Sequence, residues 1–123
     1  MTRNILKTGI FLIVFATLFS TCQKQKEELL VGNTYIETFP QNNSTTIHFI
    51  DNEILTIKQG DYQDTYKYKI RKRKITLTNI ESLPGYVFEF YFHIINRNKF
   101  EIGYLRPYIP EEYPGNMIFE KVK

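Results

Sequence analysis

Few side chains in this sequence could do acid–base or covalent chemistry, and they are scattered. There are two histidines, His48 and His93, and one cysteine, Cys22. Each histidine alternates with apolar neighbours, so both are expected on the outer side of a sheet, and no carboxylates cluster beside them as a metal site would need. The adjacent acids Glu111 and Glu112 fall in a proline-rich loop rather than in a catalytic pair. We therefore expect no enzyme, no metal and no cofactor.

The cysteine lies at the end of a short apolar run near the start of the chain. Residues 1–7 include Arg3 and Lys7 and no acid, residues 10–19 are almost wholly apolar, and small side chains precede Cys22. A basic start, an apolar run of this length and a small-residue exit are typical of a secretory signal peptide. The run is shorter than the ~20 apolar residues that a membrane-spanning helix needs.

The residues that end this leader carry a family likeness. Leu18-Phe19-Ser20-Thr21-Cys22 resembles the cleavage and lipidation signal of bacterial lipoproteins. The resemblance implies that a diacylglyceryl group joins the Cys22 sulfur and that cleavage leaves this cysteine first. An ordinary signal peptide with an incidental cysteine is the alternative. Two or three acyl chains would hold the domain on a membrane, since each buried methylene contributes about 0.8 kcal/mol.

A polar stretch, residues 23–28, follows the cysteine and has nothing apolar to bury, so it is expected to be a flexible tether. Lys26-Glu27-Glu28 is similar to a surface-export signal of lipoproteins in the Bacteroidetes, although a plain solvated linker would have the same composition. The residue after Cys22 is Gln rather than Asp, which by analogy with Gram-negative sorting favours the outer membrane. Three segments are predicted: a signal peptide (1–21), a lipidated cysteine with its tether (22–31) and a β domain (32–123).

The net charge changes when the leader is removed. The full chain has 16 basic and 13 acidic residues. Arg3 and Lys7 lie in the predicted leader, so 14 basic residues remain beside the 13 acids, a net charge of about +1. A domain so close to neutral has no general attraction to nucleic acid, and export makes nucleic acid an unexpected partner.

From residue 33 onward, runs of β-branched and aromatic residues alternate with Gly, Asn, Asp and Pro. This pattern is typical of strands, and no apolar period of 3.6 residues follows the leader. Apolar side chains at every second position predict an antiparallel sheet with one buried face. A meander of about eight strands removes its edges best by closing into a barrel. The predicted strands are 33–38, 45–50, 54–59, 65–71, 74–79, 86–95, 99–106 and 117–122.

The two ends of this β domain also carry a resemblance. Leu30-Val31-Gly32-Asn33-Thr34-Tyr35 is similar to the Leu-x-Gly-x-Trp start of small lipocalin-like lipoproteins of the Bacteroidetes, and Ile118-Phe119-Glu120-Lys121 is similar to their closing strand. The resemblance implies a lipocalin-like barrel. A small open barrel or an eight-stranded sandwich is compatible with the same pattern.

Aromatic residues at predicted inward positions supply the first candidate binding site. A small apolar or planar ligand could bind among them, with tyrosine hydroxyls as the polar groups. The same rings could instead fill the core, because the interior of an eight-stranded barrel is only wide enough for side chains. The residues are Tyr35, Tyr66, Tyr68, Phe88, Phe90 and Phe92.

A basic hairpin supplies the second candidate site. Six cations fall within eight residues with no acid among them: Lys67, Lys69, Arg71, Lys72, Arg73 and Lys74. An anionic lipid headgroup or an acidic protein patch would bind there. A lysine-rich edge that prevents strand-to-strand aggregation is the alternative.

Two functions follow. The first is a lipid-anchored outer-membrane lipoprotein, held by membrane lipid at Cys22, whose lipocalin-like domain binds a small apolar ligand. The alternative is a protein-interaction module with a filled core, acting as an envelope assembly partner, an inhibitor or an immunity factor. A hollow barrel favours the ligand, whereas a filled core beneath an exposed basic or aromatic patch favours the interaction.

Overall fold

The structure is a computed structural model, and it describes residues 27–105 and 115–122. The predicted signal peptide and Cys22 lie outside these residues. In the described part, no helix combines the length and apolar character needed to cross a bilayer. The strands are β1 (Thr34–Phe39), β2 (Thr45–Phe49), β3 (Ile54–Gln59), β4 (Tyr62–Arg71), β5 (Lys74–Asn79), β6 (Val87–Asn96), β7 (Lys99–Ile102) and β8 (Met117–Lys121).

The strands form a closed antiparallel barrel in which each strand pairs with the next and β8 pairs with β1. This confirms the prediction of an all-β, lipocalin-like meander of eight strands. In the closing pair, Tyr35 lies opposite Lys121 and Glu37 lies opposite Phe119, and a bulge follows Glu37. Closure satisfies the backbone groups that an open sheet would leave at its first and last strands.

Tight turns fix the register of the hairpins. Gln59 pairs with Tyr62, so β4 begins three residues earlier than the pattern predicts. The turn between them holds only two residues, and Gly60 has a φ of 62°, in the left-handed region that favours glycine. Because pairing continues to the turn, Asp64 lies within the strand opposite Ile57 and is buried.

The middle of the barrel is filled by aromatic rings. The ring centroid of Phe100 lies 4.9 Å from that of Tyr35, 5.0 Å from Phe92, 5.3 Å from Phe119 and 6.0 Å from Phe49. All five side chains are buried. Contacts between paired rings contribute about 0.5–1.5 kcal/mol each beyond their burial.

A turn before β1 packs against one end of the barrel. Leu30 is buried in the core, its N–H donates to the Glu27 carbonyl at 3.1 Å, and the Gly32 N–H donates to the Phe49 carbonyl at 2.7 Å. The barrel therefore includes residues from the segment predicted as tether. We call this end, which also holds the β2–β3, β4–β5 and β6–β7 links, the proximal end.

Candidate functional site

Three of the six aromatic residues predicted to line the interior are packed in the core: Tyr35, Tyr68 and Phe92. The Tyr68 hydroxyl donates to the Asp51 carbonyl oxygen at 2.7 Å. Burial, followed by the negative charges of Asp51 and Glu27, raises the pKa of Tyr68 to about 12. Burial also raises the pKa of Tyr35. The neighbouring rings already occupy the space around these side chains.

The other three, Tyr66, Phe88 and Phe90, form a row of rings with Tyr86 that we call the aromatic rim. Tyr86 stacks on Phe88 with centroids 6.5 Å apart, Phe88 stacks on Phe90 at 6.4 Å, and Tyr66 meets Phe88 edge-on at 6.4 Å. Phe88 is 36% exposed and Tyr86 is 61% exposed. Tyr86, two residues before Phe88, was not among the predicted binding residues.

The aromatic rim exists because β6 changes partners along its length. Residues 87–91 pair with β5, whereas pairing with β7 begins at Phe92. The chain leaves β7 four residues earlier than predicted, at Gly103, whose N–H donates to the Tyr91 carbonyl at 2.8 Å. A Cβ on Gly103 would lie 3.3 Å from the Tyr91 nitrogen and 3.4 Å from the Phe90 Cβ. The absence of a side chain therefore permits this close approach to β6.

Among the described residues, this change of partner leaves backbone groups of β6 without a backbone partner. The Phe92 N–H donates to the Arg73 carbonyl beside β5, and the Tyr91 carbonyl faces the opposite side. Because backbone groups alternate along a strand, those of Val87 and Glu89 also face away from β5. In residues 27–105 and 115–122, no backbone group pairs with them on that side. We call residues 87–89 the free edge.

A buried carboxylate fastens the loop that leads into the aromatic rim. Asp64 is 3% exposed and accepts hydrogen bonds from Asn79 Nδ2 (2.7 Å), Tyr62 Oη (3.0 Å), the Thr65 N–H (3.0 Å), the Ser82 N–H (3.3 Å) and Ser82 Oγ. Burial raises the pKa of Asp64, but hydrogen bonds from the Ser82 and Asn79 side chains and from backbone N–H groups outweigh it and lower the pKa to about 2.

Asn79 extends this network into the loop. Its Oδ1 accepts hydrogen bonds from the Glu81 and Leu83 N–H groups, both at 2.9 Å, and its carbonyl accepts from the Gly85 N–H at 2.9 Å. The loop is thus held while it exposes large apolar side chains, among them Ile80 and Leu83. Such an apolar surface is a common mark of a binding site. Neither Asp64 nor Asn79 was among the predicted site residues, because the strand pattern left Asp64 in a loop.

The six cations of the basic hairpin are all exposed. They lie on β4 and β5 and in the turn between them, at the proximal end. Lys74 Nζ approaches Glu89 Oε2 at 3.8 Å, and both side chains are well exposed, so this pair contributes little to stability. The hairpin is a solvated cationic surface.

The two histidines lie on separate strands, His48 on β2 and His93 on β6. His48 Nδ1 lies 2.9 Å from Thr34 Oγ1, and His93 lies opposite Glu101 on β7. Within the ranges 27–105 and 115–122, no three His, Cys, Asp or Glu side chains are grouped as metal ligands.

Comparisons of the chain with models of protein families, with curated proteins and with solved structures give no match. The aromatic rim, the free edge and the basic hairpin are therefore the features from which a function is argued.

Proposed function

We propose that this chain is a lipoprotein, anchored to the outer membrane through Cys22, whose barrel binds an extended segment of an envelope protein. The observation that carries this proposal is the free edge of β6, which lies beside partly exposed rings. Unpaired strand edges are templates on which another chain adds a strand. The barrel is a scaffold for this surface and not a catalyst.

The free edge can make four hydrogen bonds with an added strand, because Val87 and Glu89 each offer one donor and one acceptor. Alternate side chains of that strand would face the same side as Phe88 and Phe90. One apolar side chain of leucine size, buried against these rings, contributes about 1.5–3 kcal/mol. We therefore expect the partner segment to be extended, with apolar residues at every second position.

The packing of the interior supports an external partner. Rings of Tyr35, Phe49, Phe92, Phe100 and Phe119 contact one another in the middle of the barrel. An apolar ligand at that level would have to displace close-packed side chains, which is costly.

A small apolar ligand is the second candidate, and the stacked row of the aromatic rim favours it. Planar ligands stack on rings that are partly exposed, and Tyr66 would supply a hydroxyl beside them. Burial and the charge of Asp64 raise the pKa of Tyr66, so this hydroxyl stays protonated and can donate.

The anchor is tested by Cys22→Ala. Growth with a labelled fatty acid should label the wild-type protein and not the variant, and the variant should leave the membrane fraction. Ser20→Ala changes a neighbouring residue and keeps the thiol, so it should behave as the wild type. Equal membrane association of wild type and Cys22→Ala would refute the anchor.

Strand addition is tested with a photo-crosslinking amino acid in cells at position 89, compared with position 58 on the exposed side of β3. We expect one envelope protein to crosslink at 89 and not at 58, through a segment with alternating apolar residues. Val87→Pro removes an N–H that faces away from β5, so it should abolish the crosslink and keep the barrel folded.

Equal crosslinking at the two positions, or a crosslink that survives Val87→Pro, would refute strand addition. The small-ligand candidate makes a different prediction. A hydrophobic fluorescent probe should then bind with one-to-one stoichiometry to wild type and to Val87→Pro, and Phe88→Ser should abolish that binding.

A further inference from the structure

A cleft of about 500 Å³ opens at the proximal end, between the turn that precedes β1 and the last residues of β4. Glu27 and Glu28 line it from the turn, and Lys69 and Arg71 line it from β4. Tyr68, whose hydroxyl is held by the Asp51 carbonyl, contributes to the wall. The cleft is separate from the aromatic rim and from the free edge.

The charges that line this cleft are of opposite sign and do not neutralise each other by direct contact. Within residues 27–105 and 115–122, the salt bridge that forms is Lys74 to Glu89, outside the cleft. Glu27 and Glu28 therefore lie more than 4 Å from the cationic groups of Lys69 and Arg71. A carboxylate and a guanidinium left apart in one cleft can each bind a complementary ligand group.

Glu27 and Glu28 supply the negative charge of the cleft, and Asn52 also lines it. An ammonium group has three donors and no acceptor, so carboxylates and an amide oxygen are its natural partners. Val31 supplies an apolar contact nearby.

The basic side suits a phosphate. The planar guanidinium of Arg71 can bind two phosphate oxygens at once, and Lys69 adds a point charge. A ligand that satisfies both sides carries a phosphate and a primary ammonium a few bonds apart. Phosphoethanolamine is such a group.

The position of the cleft indicates where this group comes from. Glu27 follows Cys22 by five residues, so the cleft lies within about 17 Å of the proposed lipid attachment. The basic hairpin occupies the same end of the barrel, and cationic surfaces are drawn to membranes. We propose that this cleft binds the phosphoethanolamine headgroup of a membrane phospholipid. Only the lipid source rests on the proposed anchor, because the cleft itself is built by the barrel.

The test uses the full chain in a neutral detergent, titrated by calorimetry with soluble glycerophosphoethanolamine. Glycerophosphoethanolamine should bind at least tenfold more tightly than inorganic phosphate or ethanolamine, because each of these satisfies only the basic or only the acidic side of the cleft. Glycerophosphocholine should also bind at least fivefold more weakly, because a trimethylammonium group donates no hydrogen bond. Equal affinity for all four compounds would overturn the proposal.

Variants separate a built site from general attraction to positive charge. Arg71→Gln, and Glu27→Gln combined with Glu28→Gln, should each weaken glycerophosphoethanolamine binding at least fivefold. Arg73→Gln removes the same charge from the adjacent turn, outside the lining, and should leave binding unchanged. If Arg73→Gln weakens binding as much as Arg71→Gln, the site does not exist.

Vesicles identify the source of the headgroup. The full chain in phosphatidylcholine vesicles should gain hydrogen-exchange protection at the Lys69 and Arg71 amides when phosphatidylethanolamine is added. Binding of the soluble compound without this protection would overturn the lipid as its source and keep the ligand chemistry. Cys22→Ala should bind glycerophosphoethanolamine as the wild type does, so failure of the anchor and failure of the cleft are distinguishable.

Discussion

Replacing Asp64 with Asn tests whether one buried carboxylate holds the loop beside the aromatic rim. Three donors converge on its Oδ2: Asn79 Nδ2, Tyr62 Oη and Ser82 Oγ. In the Asn variant, an amide nitrogen in place of Oδ2 would face the Asn79 Nδ2 donor, and two donors cannot form a hydrogen bond with each other. Asn79 cannot turn its amide to present an acceptor, because its Oδ1 would then lose the hydrogen bonds that it accepts from the Glu81 and Leu83 N–H groups. Hydrogen bonds to a charged group contribute about 1.5–3 kcal/mol each, so we expect Asp64→Asn to cost roughly 2–3 kcal/mol.

The pH dependence follows from the lowered pKa of Asp64. The pKa falls from 3.8 to about 2 on folding, which corresponds, at about 1.4 kcal/mol per pH unit, to roughly 2 kcal/mol of stability. Solvent close to this loop reduces that figure toward roughly 1 kcal/mol. Because the folded-state pKa is the lower one, this stability is fully present above about pH 4. It is lost as the pH falls from about 4 to 2.

Urea unfolding of the purified protein between pH 7 and pH 2 measures both effects. Asp64→Asn should unfold at lower urea at pH 7, and its difference from wild type should narrow below pH 4. Asp61→Asn removes an exposed charge from the neighbouring turn and serves as the control. The carboxylate does not fasten the loop if Asp64→Asn is as stable as Asp61→Asn at pH 7. The same conclusion follows if the stabilities of wild type and Asp64→Asn fall in parallel below pH 4.

Two further pairs of substitutions are compared by the same unfolding measurement: the first compares a buried with a partly exposed ring, and the second compares two buried tyrosine hydroxyls that differ in hydrogen bonding. Phe92→Ala should cost about 3–5 kcal/mol because its ring is buried against the core, whereas Phe88→Ala should cost about 1 kcal/mol or less; equal losses would contradict the described burial. Tyr68→Phe should cost about 1 kcal/mol through the lost bond to the Asp51 carbonyl. Tyr35→Phe should cost less than Tyr68→Phe, because the buried Tyr35 hydroxyl makes no well-aligned hydrogen bond in the described residues, although the nearby Asn33 side chain opposes the rise of its pKa; a loss as large as that of Tyr68→Phe would show that this hydroxyl is bonded.

The sequence predicted most strands because residue type and spacing report them directly. Alternation predicted that Phe90 and Phe92 face inward, and the register agrees for Phe90, which lies opposite the buried Ile75. The sequence also predicted a meander, because most of the links are too short for a crossover. The ends of two strands were wrong by three residues or more, and those of four others by one residue. Asp64 looked like a loop residue, and Gly103 ended β7 early, where the chain approaches β6.

Exposure was decided only by the tertiary structure. Phe88 and Phe92 have the same place in the alternation, yet one is 36% and the other 1% exposed. The difference arises because β7 covers Phe92 and ends before it would reach Phe88. Alternation tells which face a side chain is on, and strand pairing tells what lies against that face.

Both proposed binding surfaces were likewise decided by the tertiary structure. Glu27 and Arg71 are separated by more than forty residues of sequence and line one cleft because the meander returns β4 to the end where the chain enters the barrel. The free edge depends on the divergence of β6 from β7. The predicted leader and its cysteine rest on local signals that the sequence carries by itself. The closed barrel, the cleft and the free edge require contacts between distant residues, which local periodicity does not encode.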